Sequence, residues 1–450
     1  MTLSRKFLVA LVTISMIISF IIHMPIEVQQ YLFDKILLKP VYTDIVDSYY
    51  RRVFLDQRVC SAALGNGSLK DSVWVNMDVA KELCRGEPVI PIPYRDYVLE
   101  IPPLHGLLWF ISTSVSLVLS GYNSMYSEYT DPGLRMFSLT IYYVVMGIMI
   151  YLSSILLVLA LHSLADSIGA GERRAKLLYL LPLLPSFIVY GVYGLEIIAC
   201  SFLALSMLML YRSRYLLAGL FIGLSVTIHL FPLAIVIIVI YELLQHRDYL
   251  DHAYRYLVGF TAAFASYLVL VFVNPRVLPR IFIGSGVMCE NCIFLYLTGS
   301  STDPLSRSIS IVTIVIVVTL VMILYARETN LFNTLYIKSA IAVVALTVFH
   351  YIFKPQYLLL ITTMLILVLT LREFIYYLLI DLLNSLIILL WFRDQELREI
   401  LGFLGIGSGY NPLAPDSPIQ MIAFTRDILL FILLASLFHK YLSLRKSMVG

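Results

Sequence analysis

Pro91-Ile-Pro-Tyr-Arg-Asp-Tyr-Val-Leu-Glu100-Ile-Pro-Pro-Leu104 is a charged, proline-bracketed stretch in a chain that is otherwise mostly apolar. The double proline at 102 and 103 fixes a rigid extended lead into a helix, because proline suits a first helical turn and not an interior. The apolar run 104–121 follows at once. Upstream lies a long hydrophilic loop carrying Asp44 and Asp47, behind a single apolar segment at 7–24. Polar groups beside a bilayer are costly unless they are used, so chemistry is sought first in this loop.

The rest of the chain reads as membrane. Of 450 residues, 60% are hydrophobic and 14% charged, and the mean hydropathy is +0.87; no soluble domain of this size has that balance. A spanning helix needs about 20 largely apolar residues. Such runs lie at 7–24, 136–164, 175–192, 194–211, 216–230, 232–244, 255–273, 308–325, 333–350, 356–371, 375–391 and 427–444, about twelve in all. The pair around His229-Leu-Phe-Pro232 reads as broken or re-entrant helices. The first run follows Arg5 and Lys6 and lacks a small-residue cleavage site, so it is expected to be a retained span, with a cleaved signal as the alternative. The fold class expected is all-α: a polytopic helical bundle forming one integral membrane domain over 1–450. It divides into a first span, a first outer loop at 25–135, spans at 136–273, a second outer loop at 274–307 and C-terminal spans at 308–450.

Charge sets the orientation. With the N-terminus in the cytoplasm, the short loops holding Arg173, Arg174, Lys176, Arg212, Arg214, His246, Arg327 and Arg372, and the tail with Lys440, Arg445 and Lys446, fall on the cytoplasmic side, as the positive-inside rule requires. Both termini are then cytoplasmic. This alternation needs 104–121 to lie in the outer interface rather than cross. The cysteines agree: Cys60 and Cys84 share one outer loop, Cys289 and Cys292 another, and an oxidising exterior favours two disulfides. The competing reading, Cys289-Glu-Asn-Cys292 as a metal ligand pair, has no His or second thiol pair nearby. The net charge of +3 is too small to argue for nucleic acid. Neither a P-loop nor a dinucleotide-binding glycine fingerprint occurs.

Candidate chemistry gathers at outer helix ends. Asp44 and Asp47, three residues apart, would share one face of a helix, and either could act as general base on a sugar hydroxyl; a solvated cap is the plainer reading. Tyr94, Arg95, Asp96 and Glu100, with His105 just beyond, precede the interfacial helix. Arg135 opens the span at 136, Glu196 sits at a turn between two spans, and His229, Lys354 and Gln356 lie at two further turns. Singly each reads as an interfacial anchor; together they could line a cavity for a phosphate and a sugar, with Lys354 or an arginine on the phosphate oxygens. Within the apolar runs, Lys338 is expected to snorkel to the cytoplasmic surface, and Asp381 to need a partner or face the bundle interior.

At these residues the chain resembles the GT-C superfamily of multi-spanning glycosyltransferases, in its prokaryotic branch related to polyprenyl-phosphate-mannose-dependent mannosyltransferases. The resemblance runs over about 40–360. An acid of the first outer loop corresponds to Asp44 or Asp47, the Pro-Tyr-Arg-Asp…Glu-Tyr-Pro-Pro-Leu pattern to 93–104, an arginine opening the second span to Arg135, a Gly-x-x-acid turn loosely to Gly194 and Glu196, Ala-Gly-Leu…Lys-x-Tyr-Pro to 218–232, and Ser-Pro-Gln-Tyr-Leu to 354–358. Ile101 stands for the usual Tyr, His229 for Lys and Lys354 for Ser. The resemblance implies a polyprenyl- or dolichyl-phosphate hexose donor (mannose favoured) in the outer leaflet, a glycan or glycolipid acceptor, a first-loop acid as base, and inversion at the anomeric carbon. It implies no obligatory cofactor; a divalent metal is possible and not required. The rivals are a transporter or flippase for envelope precursors, which would need a midplane site and usually an internal repeat, and a non-catalytic scaffold.

Overall fold

The computed structural model describes residues 5–37, 41–65, 73–125, 131–169, 176–245, 247–283, 289–323, 331–404, 407 and 409–446. Arg173, Arg174, His246 and Arg327, on which part of the charge argument rests, lie outside them. The chain is all-helical: 74% is helix, and the described residues contain no strand, only isolated bridges.

Among the described residues, seven helices are long and apolar enough to cross a membrane: Arg5–Ile22, Pro132–Ser167, Leu250–Val273, Pro304–Ile323, Leu331–Val348, Leu371–Trp391 and Pro418–Leu442. This marks an integral membrane protein. The other expected spans are shorter. Glu196–Tyr211, Tyr215–Val226 and Leu233–Leu244 have 16, 12 and 12 residues, or roughly 18–24 Å against a hydrocarbon core of about 30 Å. The run 175–192 is not one helix: proline at 182 and 185 breaks it into a 3₁₀ turn, Leu181–Leu183, and a six-residue helix, Pro185–Tyr190. The run 356–371 stops early, as helix Leu358–Leu365. Pro103–Leu119, at 17 residues, also falls short of the seven.

The first helix is built into the bundle. Leu8, Val12 and Met16 are buried in the main core. Ser19 Oγ accepts from Val192 N at 2.9 Å, and the His23 ring bonds the carbonyls of Val41 and Val189. The 36-residue helix Pro132–Ser167 starts on an Asp131 cap that accepts from Gly133 N at 2.8 Å. At about 54 Å it exceeds any span, and its first turns carry the first loop. There Tyr142 donates to Ile45 O at 2.6 Å, Tyr50 bonds Ser138, and Ser116 donates to Ser138 O.

Lys338 corrects an expectation. Instead of reaching a surface, it is buried, pairs with Glu242 and also donates to Met322 O at 3.1 Å. A charge inside an apolar helix is retained only with such partners. Asp381 does face the interior, where it accepts from Ser186 N at 3.0 Å.

Candidate functional site

Residues 44–50 form a π-helix, a wider turn than the α-helix assumed from spacing. The consequence is a correction: Asp44 and Asp47 do not share a face. The wide turn aligns positions four apart instead, so Ser48 meets Asp44 and Arg51 meets Asp47. Asp47 accepts from Thr43 N at 3.1 Å and from Arg51 Nε at 2.8 Å, while Arg51 forks onto Glu27 with two bonds of 2.7 Å. Asp47 anchors the loop and is not among the residues lining the cavity that Asp44 lines.

Asp44 points the other way. It is 6% exposed and lines a cavity of about 1240 Å³. Its backbone N–H donates to Tyr193 O at 2.9 Å, and the neighbouring Thr43 hydroxyl donates to the carbonyls of Val192 and Tyr193. Oδ1 accepts from Ser48 Oγ at 2.8 Å; Oδ2 accepts from Gln356 Nε2 at 3.2 Å and has Lys354 Nζ at 3.7 Å. Each oxygen keeps a lone-pair direction beyond these bonds. The Asp44 carboxylate raises the Lys354 ammonium well above its ordinary value, against the opposing effect of burial.

Glu196, His105 and His229 share the cavity wall. Glu196 Oε2, His105 Nε2 and Gln356 Oε1 are buried without a hydrogen-bond partner. A Cβ at Gly194 would stand 2.2 Å from Glu196 Oε2, so glycine there is what lets this carboxyl fold back over the turn. His229 Nδ1 accepts from Phe231 N at 3.3 Å, and its ring meets Tyr357 edge-on at 4.5 Å. At the rim stand Glu100, paired with Arg280 at 3.6 Å, together with Arg52 and Arg276. Part of the lining is apolar: Ile237 from Leu233–Leu244, Ile314, Val318 and Met322 from Pro304–Ile323, and Leu346 from Leu331–Val348.

The stretch that opened the reading acts differently from expectation. Tyr94, Arg95 and Asp96 line no part of the cavity. Tyr94 adopts φ 69°, unusual for a bulky side chain. Its hydroxyl donates to the carbonyls of Ile101 and Pro102 and packs where a Cβ at Gly106 would be 2.0 Å away. Asp96 is fully buried and accepts from Arg95 twice, from Ile92 N and from Asn76. Burial alone would raise its carboxyl; the Arg95, Ile92 and Asn76 bonds outweigh that and hold it below the ordinary value. These residues lock the lead into Pro103–Leu119, whose first N–H groups, Leu104 and His105, donate to Thr227 O. The lock delivers His105 and Glu100 to the cavity. Arg135 also stays outside it, on the first turn of Pro132–Ser167.

Glu290 and Ser48 escaped the sequence reading. The sulfurs of Cys60 and Cys84, and of Cys289 and Cys292, lie at bonding distance in the expected pairs. The second pair closes a tight loop whose Glu290 bridges to the Lys354 turn: its N–H donates to Tyr351 O at 3.0 Å and its carbonyl accepts from Phe353 N at 2.8 Å. Burial raises the Glu290 carboxyl, with Lys354 opposing and Asp44 adding to the shift, so all three share one electrostatic neighbourhood. Only the Cys spacing hinted that the loop was special. Among the described residues, no three His, Cys, Asp or Glu side chains gather as a metal site. No family model matches the chain, and no curated protein sequence matches it.

Proposed function

We propose that the protein is a membrane glycosyltransferase that moves a hexose from a polyprenyl-phosphate carrier to an acceptor hydroxyl of a glycan or glycolipid. The observation that carries this reading is Asp44: a buried carboxylate with spare acceptor capacity, in the lining of a cavity that also has an apolar wall. A lipid-linked sugar has the same division, with an apolar chain beside a polyhydroxylated head.

In the proposed reaction the acceptor hydroxyl gives its proton to Asp44. Its oxygen attacks the anomeric carbon from the face opposite the phosphate. The bond from carbon to phosphate oxygen breaks, and the lipid phosphate leaves with the electron pair, inverting the centre. Lys354 stands 3.7 Å from the Asp44 carboxylate as its charge partner, Ser48 and Gln356 hold its plane, and Glu196 takes sugar hydroxyls. Because Lys354 is held by the buried Asp44, the phosphate is assigned to the exposed Arg276 and to Arg280, whose contact with Glu100 is exposed and easily exchanged. The two cysteine pairs support an extracytoplasmic site, since disulfides persist in oxidising compartments; cytoplasmic termini rest on the basic loops alone.

A transporter or flippase remains the second reading, favoured by the buried Lys338–Glu242 pair. Purified protein given a panel of polyprenyl-phosphate sugars, mannose first, separates the two. Release of free polyprenyl phosphate with glycosylated acceptor supports transfer. Labelled-substrate uptake into vesicles without covalent change supports transport and rejects transfer.

A further inference from the structure

The turn carrying Lys354 and Gln356 is held from behind by groups that do not line the cavity. Its centre is Arg426, a guanidinium with no exposed surface on the last long helix, Pro418–Lys446. Nη1 donates to Asn384 Oδ1 at 2.9 Å and Nη2 to Asn291 O at 3.0 Å; Nε donates to Asp427 at 3.0 Å, and the group lies 3.6 Å over the Phe353 ring. Each partner grips the turn or its neighbour. Asn384 Nδ2 donates to Pro355 O at 2.9 Å. Asn291 belongs to the disulfide-closed loop whose Glu290 bonds the backbone of Tyr351 and Phe353, and Gln420 Nε2 donates to Asn291 Oδ1 at 3.0 Å. Residues 351, 353 and 355 are therefore fixed by one arginine-centred set of bonds, and residues 354 and 356, between and beyond them, are the two that reach Asp44.

We infer that Arg426 is a positioning residue: with the Cys289–Cys292 loop it clamps the 351–356 turn and so sets Lys354 and Gln356 on Asp44. A buried charge is expensive and often replaceable by apolar packing where only stability is at stake. Arginine is suited to this place because its planar fork reaches three acceptors and a ring face at once, which lysine's single ammonium cannot do. The placement stands on geometry alone. Its effect on turnover rests on the proposed role of Asp44.

The test begins with a readout independent of catalysis. Reductive methylation of the full-length protein, followed by peptide mass spectrometry, reports how freely the Lys354 amine reacts. Two variants loosen the clamp by different routes: Arg426→Lys keeps a counter-charge for Asp427, and Cys289→Ser/Cys292→Ser touches no buried charge. Lys354 methylation is expected to rise several-fold in both, and in Asp44→Asn. In turnover, Arg426→Lys should lose about 10–10²-fold in kcat, as a displacement of order 1 Å costs, with donor KM nearly unchanged, and the loss should be less than additive with Lys354→Met. Unchanged Lys354 methylation in both clamp variants overturns the inference, as does a fully additive loss. Raised methylation with wild-type turnover in Asp44→Asn keeps the clamp and rejects Asp44 as the base; raised methylation with no turnover in the unsubstituted protein keeps the clamp and rejects the glycosyl-transfer reading.

Discussion

Asp96 and Asp44 are both buried acids of the first loop with a cation beside them, and they are built for opposite ends. Asp96 accepts four hydrogen bonds: Arg95 and Asn76 on Oδ1, Arg95 and Ile92 N on Oδ2. That fills its lone-pair directions. Asp44 accepts one bond on each oxygen, from Ser48 and Gln356, and its cation stands off at 3.7 Å, over a cavity. A saturated carboxylate fixes backbone; one with spare capacity facing open space can take a proton. The dense charge of the Tyr94–Arg95–Asp96 stretch marks where the chain must be locked, not where it reacts.

Substitutions sharpen that contrast. Asp44→Asn should lose about 10²–10⁴-fold in turnover, the usual contribution of a general base, with a smaller fall in melting temperature than Asp96→Asn, because it breaks two hydrogen bonds and a longer charge contact rather than four bonds. Asp96→Asn should do the reverse: a loss of about 1–3 kcal/mol of stability, from bonds to a buried charged acceptor, read by thermal unfolding, with turnover per folded molecule kept. If Asp96→Asn folds normally and loses turnover, the roles have been assigned the wrong way round. Lys354→Met should cost about 10–10²-fold in kcat, because Asp44 loses both its charge partner and its placement. Arg276→Ala/Arg280→Ala should raise donor KM by at most about thirtyfold, since two exposed ion pairs are worth about 0–1 kcal/mol each; an unchanged KM moves the phosphate elsewhere. Asp47→Asn should leave kcat within a factor of about three, because its bonds to Arg51 and Thr43 are structural and partly exposed.

The smallest effect concerns pH. Lys354 is raised by Asp44, so its charge, and the stability the pair contributes, is complete below its unfolded value of about 10.4. It is lost only as pH climbs through the higher folded value. Between pH 7 and 9 the rate profile should carry no alkaline limb from this residue. A limb in that window that disappears in Lys354→Met would contradict the pairing.

Much of the site was legible because its members sit where apolar runs stop. His105, Glu196, His229, Lys354 and Gln356 are all at helix ends, and all converge with Asp44 on one cavity. The choice between Asp44 and Asp47 was not legible. Their spacing was read on an α-helical wheel, and the π-helix at 44–50 turns them apart. Arg426 stands just before the run read at 427–444, but the helix begins at Pro418 and carries it into the interior; Glu290 was hidden by lying between cysteines whose pairing drew attention first. Lys338 misled for a related reason: Glu242, on another helix 96 residues away, supplies the partner. Local periodicity reports which segments are helical; it carries no information on which helices meet.

The central claim is that Asp44 performs the chemical step and does not bind the donor. Single-turnover kinetics separate the two directly. Asp44→Asn is mixed with saturating labelled polyprenyl-phosphate sugar and acceptor, and bound donor and released polyprenyl phosphate are followed on one preparation. The account predicts wild-type donor occupancy and a chemical step slowed by at least about 10²-fold. A wild-type single-turnover rate would contradict it, and so would a loss confined to donor occupancy.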